Sequence, residues 1–203
     1  GNQRAKIERY DGTTFVVLKT LRYVEETSDV ETGEVMAFVG DRFLLTIRHG
    51  EAAALQGVRH RLEADPEMLA LGPQGALHAV IDQVVDGYTA IDDELAKDLE
   101  TIEEAVFAGD RSVHSQTVYN LKREVLEFKR AAVPLHKAIS VHFSPASTMA
   151  DSEIRLLYRD VLDHLSQSID HIESYERLLT DVLHAYLARV GVRQNEDMRK
   201  ISA

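Results

Sequence analysis

The stretch that decides the fold is DSEIRLLYRDVLDHLSQSIDHIESYERLLTDVLHAY, residues 151–186. Its apolar residues recur in alternating steps of three and four, a period of about 3.5 that predicts one continuous helix. Ser168 is the one polar member of this series. Since no proline follows, we expect a helix over residues 151–202, ~75 Å long at about 1.5 Å per residue. Such a length favours a stalk that packs beside copies of itself. The apolar positions are Ile154, Tyr158, Val161, Leu165, Ile172, Tyr175, Leu179, Val182 and Tyr186.

Two further helices are predicted before this stalk. Apolar residues again step by threes and fours over residues 74–108 and over residues 113–143. Gly109 interrupts the pattern between them, as expected of a residue just past a helix C-terminus. The two segments therefore predict an antiparallel helical hairpin over about residues 74–144, and Pro134 is expected to kink its second helix.

The first fifty residues have the composition of β-strands. Residues 14–24 (TFVVLKTLRYV), 34–39 and 42–48 are rich in β-branched and aromatic residues. The Gly40-Asp41 pair predicts a tight hairpin between the last two strands. We therefore expect an α+β fold that is predominantly helical: a small antiparallel sheet of three strands, long antiparallel helices and a very long C-terminal helix.

The composition excludes several classes of function. The chain has 203 residues, with 23 Lys and Arg against 34 Asp and Glu, and a formal net charge of −11. This excess of acid disfavours binding to nucleic acid, whose phosphates need clustered basic residues. The chain has no cysteine, and neither a Gly-x-Ser-x-Gly turn nor a Gly-rich phosphate loop is present, so the sequence does not indicate an enzyme.

The first helix of the predicted hairpin carries a run of acidic residues. One interpretation is an arm that attracts hard divalent cations, which prefer carboxylate oxygens and water. The other is a solvated helix face that is partly balanced by basic residues on the returning helix. The run consists of Asp82, Asp86, Asp92, Asp93, Glu94, Asp98, Glu100, Glu103 and Glu104.

A second candidate cation site lies near the start of the stalk helix. Asp160, Asp163 and His164, in the sequence RDVLDH, stand at positions i, i+3 and i+4. Side chains at this spacing share one helix face and could bind a divalent ion together. The same spacing is also that of an ordinary exposed polar face, so the residues alone leave both interpretations open.

Three segments of the chain, taken in order, resemble segments of one known protein family. The first is QRAKIERYDGTTFVVLKTL, and the middle one is VIDQVVDGYTAIDDELAKDLETIEEAVF with the later LKREVLEFKRAAVPL. The last is NEDMRKISA at residues 195–203. They resemble the soluble part of CorA-type magnesium and cobalt transporters: the middle segment is similar to the family's two long antiparallel helices, and the last to the stretch that leads into its first membrane helix. In the first segment Ala5 replaces the usual proline, and the matches are Gln3, Arg4, Lys6, Glu8, Phe15 and Leu18.

The resemblance implies an αβα domain over residues 1–150, of which the small sheet is a part, and a stalk helix over residues 151–203. Five such stalks surround the pore in the family. Cytosolic Mg²⁺ bound between neighbouring subunits holds the channel closed, and the match assigns Asp160 to the main regulatory site and Asp82 to a secondary one. The pore-lining positions at the cytosolic mouth correspond to Asn195, Met198 and Ile201.

The resemblance also implies a set of partners. We expect Mg²⁺ as the regulatory ion, with Co²⁺ or Zn²⁺ as alternatives, a homopentamer, and a location at the cytoplasmic face of the cell membrane, reached through helices that follow this chain. Two other functions remain open at this point. The chain could belong to a zinc-transporting relative of the same superfamily, or it could be a cytosolic helical adaptor that oligomerises without binding an ion.

Overall fold

A computed structural model describes residues 4–51, 55, 57–110, 112–144 and 152–201. The expected α+β class, mainly helical with a small antiparallel sheet and a very long C-terminal helix, is confirmed. Residues 145–151 lie outside the described residues, so the division into residues 1–150 and 151–203 stays a prediction. The elements in chain order are β1 (Lys6–Tyr10), β2 (Thr13–Val24), β3 (Asp29–Val39), β4 (Leu44–His49), α1 (Val58–Glu63), α2 (Pro66–Ala70), α3 (Gly72–Ala108), α4 (Ser115–His142) and α5 (Ser152–Ile201).

The sheet has four antiparallel strands in the order β1-β2-β3-β4, so the expected count of three was wrong. The missed strand, β1, is only five residues long and mostly polar, KIERY, and it therefore lacks the apolar signal of a strand. It joins β2 through Asp11 and Gly12, which both have positive φ, as a two-residue hairpin requires. The turn expected at Gly40-Asp41 is longer than predicted, since Gly40 N–H donates to the carbonyl of Phe43 and β4 begins only at Leu44.

The core lies between the sheet and helices α3 and α4. Paired residues of β2 and β3 bury their side chains together on one face of the sheet, as for Val16 with Ala37 and Leu18 with Val35. The Tyr88 ring of α3 is fully buried, and its hydroxyl donates to the backbone carbonyl of Lys19 in β2. This bond fixes the position of α3 along the sheet.

Helix α5 spans 50 residues, as its repeat predicts. The repeat was expected to pack beside copies of the helix. In this structure its residues from Ile154 to Val182 are buried, apart from the half-buried Tyr175, and α5 packs against α3 and α4 of the same chain. Ser168, the polar member, is buried with them. The seam therefore holds the chain's own bundle together, and the residues after Tyr186 extend beyond it, half-exposed or exposed.

Helices α3 and α4 form the expected hairpin, and α4 continues through Pro134 to His142. The C-terminal end of α3 is closed by Gly109, which has φ of 78°. Two arginines of α5 donate to the carbonyls there: Arg189 to Val106 and, at 2.8 Å, to Phe107, and Arg193 to Gly109 at 3.1 Å. Because the last carbonyls of a helix have no internal donor, these bonds both cap α3 and attach it to α5.

Candidate cation site between α3 and α5

Asp82 lies on the third turn of α3 and is half-buried. Burial raises the pKa of its carboxyl group, and the negative charges of Asp86 and Asp160 raise it further, while His78 and Arg61 act in the opposite direction. The folded protein thus holds a carboxylate where its charge is unfavourable. A bound cation would offset this cost.

Asp160 lies on the third turn of α5 and is exposed to solvent. It is near enough for its charge to raise the pKa values of both Asp82 and His78. Two residues that are 78 positions apart in the sequence therefore lie within electrostatic range of each other, one on α3 and one on α5.

The other two predicted ligands, Asp163 and His164, are exposed on the next turn of α5. Within the described residues, no group of three or more His, Asp and Glu side chains is arranged to hold a metal ion. The roles of Asp82, Asp160, Asp163 and His164 in metal binding therefore remain predictions. The chain by itself offers two candidate carboxylates, Asp82 and Asp160, and a metal site built on them would need further ligands.

His78 belongs to the same place but was missed from the sequence. It lies one turn before Asp82 on α3, is only 8% exposed, and packs edge-on against Tyr158 of α5 with ring centroids 5.2 Å apart. Burial lowers the pKa of its imidazole, although Asp82 and Asp160 raise it in part. Its Nδ1 has no hydrogen-bond partner among the described residues. The i, i+4 spacing to Asp82 was the signal that could have indicated it.

Helices α1 and α2 close this region from the side. A small cavity of about 240 Å³ is lined by Arg61 of α1, Met68 of α2, and His78 and Asp82 of α3. Asp65 accepts the backbone N–H of Met68 at 3.0 Å and so caps α2 at the edge of the cavity. Asp82 therefore faces a recess and not a flat helix surface.

The predicted pore residues Asn195, Met198 and Ile201 lie on the last two turns of α5 and are all exposed. They follow Arg193, which donates a hydrogen bond to the carbonyl of Gly109 at the C-terminal cap of α3. Among the described residues, no helix has an apolar stretch long enough to cross a membrane. Their role in a pore remains a prediction.

Comparison with known proteins agrees with this architecture. The family model described as "CorA-like Mg2+ transporter protein" matches residues 1–203. The chain belongs to the CorA-like Mg²⁺ transporter family. Over 200 residues it is 28% identical to the protein YfjQ of Bacillus subtilis (strain 168), a match that covers 98% of this chain and 61% of YfjQ.

Two further members of the CorA group are similar to this chain. It is 24% identical to the cobalt/magnesium transport protein CorA of Thermotoga maritima over 202 residues, which are 99% of this chain and 58% of that protein. The structure of the soluble domain of CorA from Methanocaldococcus jannaschii superposes with a TM-score of 0.77 at 20% identity, covering 92% of this chain and 74% of that one. The chain spans about three fifths of the length of the curated CorA-like relatives it matches.

A second polar group joins α3 to α5 in this CorA-like chain, and sequence reasoning missed it too. Asp92, assigned to the acidic run, is buried and only 4% exposed. It accepts hydrogen bonds from the Tyr175 hydroxyl at 2.8 Å and pairs with Nδ1 of His171 at 2.8 Å. Asp98, from the same run, accepts from the Tyr23 hydroxyl at 2.6 Å, and burial raises the pKa of Tyr23 to about 12. Part of the acidic run therefore holds the bundle together.

Proposed function

We propose that this chain is the regulatory domain of a divalent-cation channel that carries Mg²⁺ and Co²⁺, at the cytoplasmic face of the cell membrane. The observation that carries the proposal is the membership of the chain in the CorA-like family, supported by the recess that Asp82 lines on α3 and by the electrostatic influence of Asp160 on Asp82. In this function the domain senses Mg²⁺ and gates the pore through α5. It catalyses no reaction.

The donor set suits Mg²⁺. This ion takes oxygen ligands, keeps several of its waters, and commonly uses only one or two protein carboxylates. A half-buried carboxylate, Asp82, beside an exposed one, Asp160, provides such a pair and leaves room for water and for ligands from a neighbouring subunit. Mg²⁺ would offset the burial of the Asp82 carboxylate and its repulsion by Asp86 and Asp160, which together raise its pKa. Asp163 and His164 lie one turn further along α5 and extend the same polar face.

Helix α5 links this junction to the predicted pore. Asp160 and Asn195 lie on the same unbroken helix, and their separation is ~50 Å at about 1.5 Å per residue. In a homopentamer, Mg²⁺ bridging neighbouring subunits at Asp160 would favour the closed state to the extent that it binds that state more tightly. A fall in cytosolic Mg²⁺ then releases the five stalks, and Asn195, Met198 and Ile201 at the pore mouth respond.

The test is Mg²⁺ influx into liposomes that contain the full-length channel, measured at low and at millimolar internal Mg²⁺. We expect Asp160→Asn to raise residual influx at high internal Mg²⁺ without changing ion selectivity. Asp181→Asn removes the same charge from an exposed position further along α5 and should behave as the parent. Asn195→Ala should alter conduction at all Mg²⁺ concentrations. An Asp160→Asn channel that closes like the parent contradicts the sensor role.

The identity of the regulatory ion is tested separately. Thermal unfolding of the domain with Mg²⁺, Co²⁺ or Zn²⁺ compares the stabilisation by each ion, since a ligand that binds only the folded state raises the midpoint. A response to Mg²⁺ and Co²⁺ that Asp160→Asn removes supports the proposal. A response to Zn²⁺ alone favours the zinc-transporting relative, and no response to any ion favours the adaptor.

A further inference from the structure

His78 is a buried histidine with one ring nitrogen that has no partner. The side chain is 8% exposed, and Nδ1 forms no hydrogen bond with any described residue. The backbone carbonyl of Leu157 on α5 accepts a hydrogen bond from the same imidazole, so the donor is Nε2–H. A neutral imidazole that donates from one nitrogen carries a lone pair on the other. Nδ1 of His78 is therefore available as a ligand.

The His78 ring is held in place by its neighbours. It packs edge-on against Tyr158, with ring centroids 5.2 Å apart, and Tyr158 is itself fully buried and stacked on Phe143 with centroids 3.5 Å apart. A histidine that binds a metal usually donates its other ring N–H to a carbonyl or a carboxylate, which fixes the orientation of the ring. The bond to Leu157 has this form, so the ring is oriented before any ion binds.

Asp82 follows His78 at the i, i+4 position of α3. Side chains at this spacing lie on one helix face, and the spacing lets two residues of one helix bind one ion, as the histidines of H-E-x-x-H helices do. His78 and Asp82 also line the same recess of about 240 Å³ between α1, α2 and α3. A nitrogen and a carboxylate are thus presented to one enclosed space.

The charges that border the recess favour a cation. Two carboxylates, Asp65 and Asp82, line it against one base, Arg61. The Arg61 guanidinium donates to the side-chain oxygen of Gln83, a neighbour on α3. Asp160 on α5 lies within electrostatic range of Asp82 and adds a further negative charge.

We propose that His78 is the nitrogen ligand that makes this site favour a divalent transition-metal ion over Mg²⁺. The inference rests on the proposed function, since it assigns ion specificity to the Asp82 and Asp160 site. Mg²⁺ takes oxygen ligands, whereas Co²⁺, Ni²⁺ and Zn²⁺ also bind imidazole well. Asp82 serves either class of ion, and His78 serves only the transition metals. Water and groups from a neighbouring copy complete the coordination, because the described residues hold no group of three His, Asp or Glu ligands.

Two other roles compete with this one. His78 could be an ordinary core residue, but a buried polar atom without a partner costs free energy, and packing against Tyr158 does not recover it. The nitrogen ligand could instead be His164, which is exposed on α5 one turn after Asp160. Its exposure leaves water as a competing partner, so the buried and oriented ring of His78 is the stronger candidate.

The experiment titrates the chain with Co²⁺ and follows its visible absorption, which changes when nitrogen replaces a water ligand. Calorimetry gives the affinities for Co²⁺ and Mg²⁺. In His78→Phe the absorption change should disappear, and the ratio of Co²⁺ to Mg²⁺ affinity should fall at least roughly 10-fold. Phenylalanine keeps an aromatic ring beside Tyr158. The matched control is His142→Phe, because His142 is equally buried and packs edge-on against Phe143; it should bind Co²⁺ like the parent.

Circular dichroism checks the fold, and His78→Gln replaces His78→Phe if the latter fails to fold. A parent without an absorption change overturns the assignment, as does a His78 variant that keeps both the change and the affinity ratio. Loss of the change in His164→Gln, with retention in His78→Phe, would move the ligand to α5 and also overturn it.

These outcomes are distinct from a failure of the sensor. A channel whose closure by Mg²⁺ is insensitive to Asp160→Asn rejects the Mg²⁺ sensor. An absorption change that depends on His78 in the same protein would still assign the nitrogen ligand. Conversely, a sensor that depends on Asp160, combined with Co²⁺ binding that ignores His78, would keep the proposed function and reject the specificity role.

Discussion

Replacing Asp92 by alanine should lower the free energy of unfolding by about 2 kcal/mol, mainly through the lost hydrogen bond from Tyr175. A hydrogen bond to a charged group contributes roughly 1.5–3 kcal/mol. The pair with His171 contributes less than about 1 kcal/mol, because that imidazole is 47% exposed and water can replace the carboxylate. Removing a buried charge also recovers part of its desolvation cost, which offsets some of the loss.

The measurement is a double-mutant cycle of Asp92→Ala and Tyr175→Phe, read by urea denaturation. If the two residues interact as the 2.8 Å distance indicates, their coupling should be about 1.5 kcal/mol. Asp92→Ala alone should lower the melting temperature by roughly 4–8 °C in a chain of this size. Asp93→Ala, an exposed carboxylate on the next residue, is the control and should change stability by less than about 0.5 kcal/mol. A coupling indistinguishable from zero would refute the interaction.

Three more predictions follow from the packing. Leu165→Ala should cost about 3 kcal/mol in urea denaturation, because Leu165 is fully buried in the middle of the α5 seam; a loss below about 1 kcal/mol would contradict that packing. Burial lowers the pKa of His142, so the folded state favours its neutral form and stability should fall as the pH drops below 6.5. His142→Gln should flatten this dependence between pH 7 and the lowered pKa, and an unchanged slope would count against it. Arg189→Ala should speed amide exchange of Gly109 about fivefold by loosening the end of α3, whereas equal exchange rates would show that the arginine bonds are dispensable.

The helices were predictable because their signal is local and repeated. Helix α5 was expected over residues 151–202 and is found at 152–201, since a regular apolar repeat without proline leaves the backbone little alternative. What covers the repeat was not predictable. A 3.5-residue seam accepts any complementary apolar helix, and here α3 and α4 of the same chain fill it.

The polar contacts inside the bundle could not be predicted either, because they depend on which helices pack together and in which register. In the sequence Asp92 cannot be distinguished from the other acidic residues of its run. Its hydrogen-bond partners, His171 and Tyr175, lie 79 and 83 residues later. Only the folded register shows which carboxylates of the run turn inward. For the candidate site, the sequence and its family resemblance predicted Asp82 and Asp160 as metal ligands, which stays a prediction, and gave no indication of His78, whose pKa is influenced by both carboxylates.

The arginines that cap α3 determine how motion can travel along α5. Contacts within the chain hold α5 at both ends of the bundle. Ile154 is buried at one end, and Arg193 donates to the carbonyl of Gly109 at the other. Asp160 lies between these two points of contact. A continuous α-helix is stiff along its axis. An axial displacement of α5 at Asp160 would therefore displace Asn195 by nearly the same distance. Helix α5 cannot tilt independently of α3, because its arginines are bonded to the C-terminal end of α3. The motions left to α5 are therefore a slide along its own axis or a rotation together with α3 and α4.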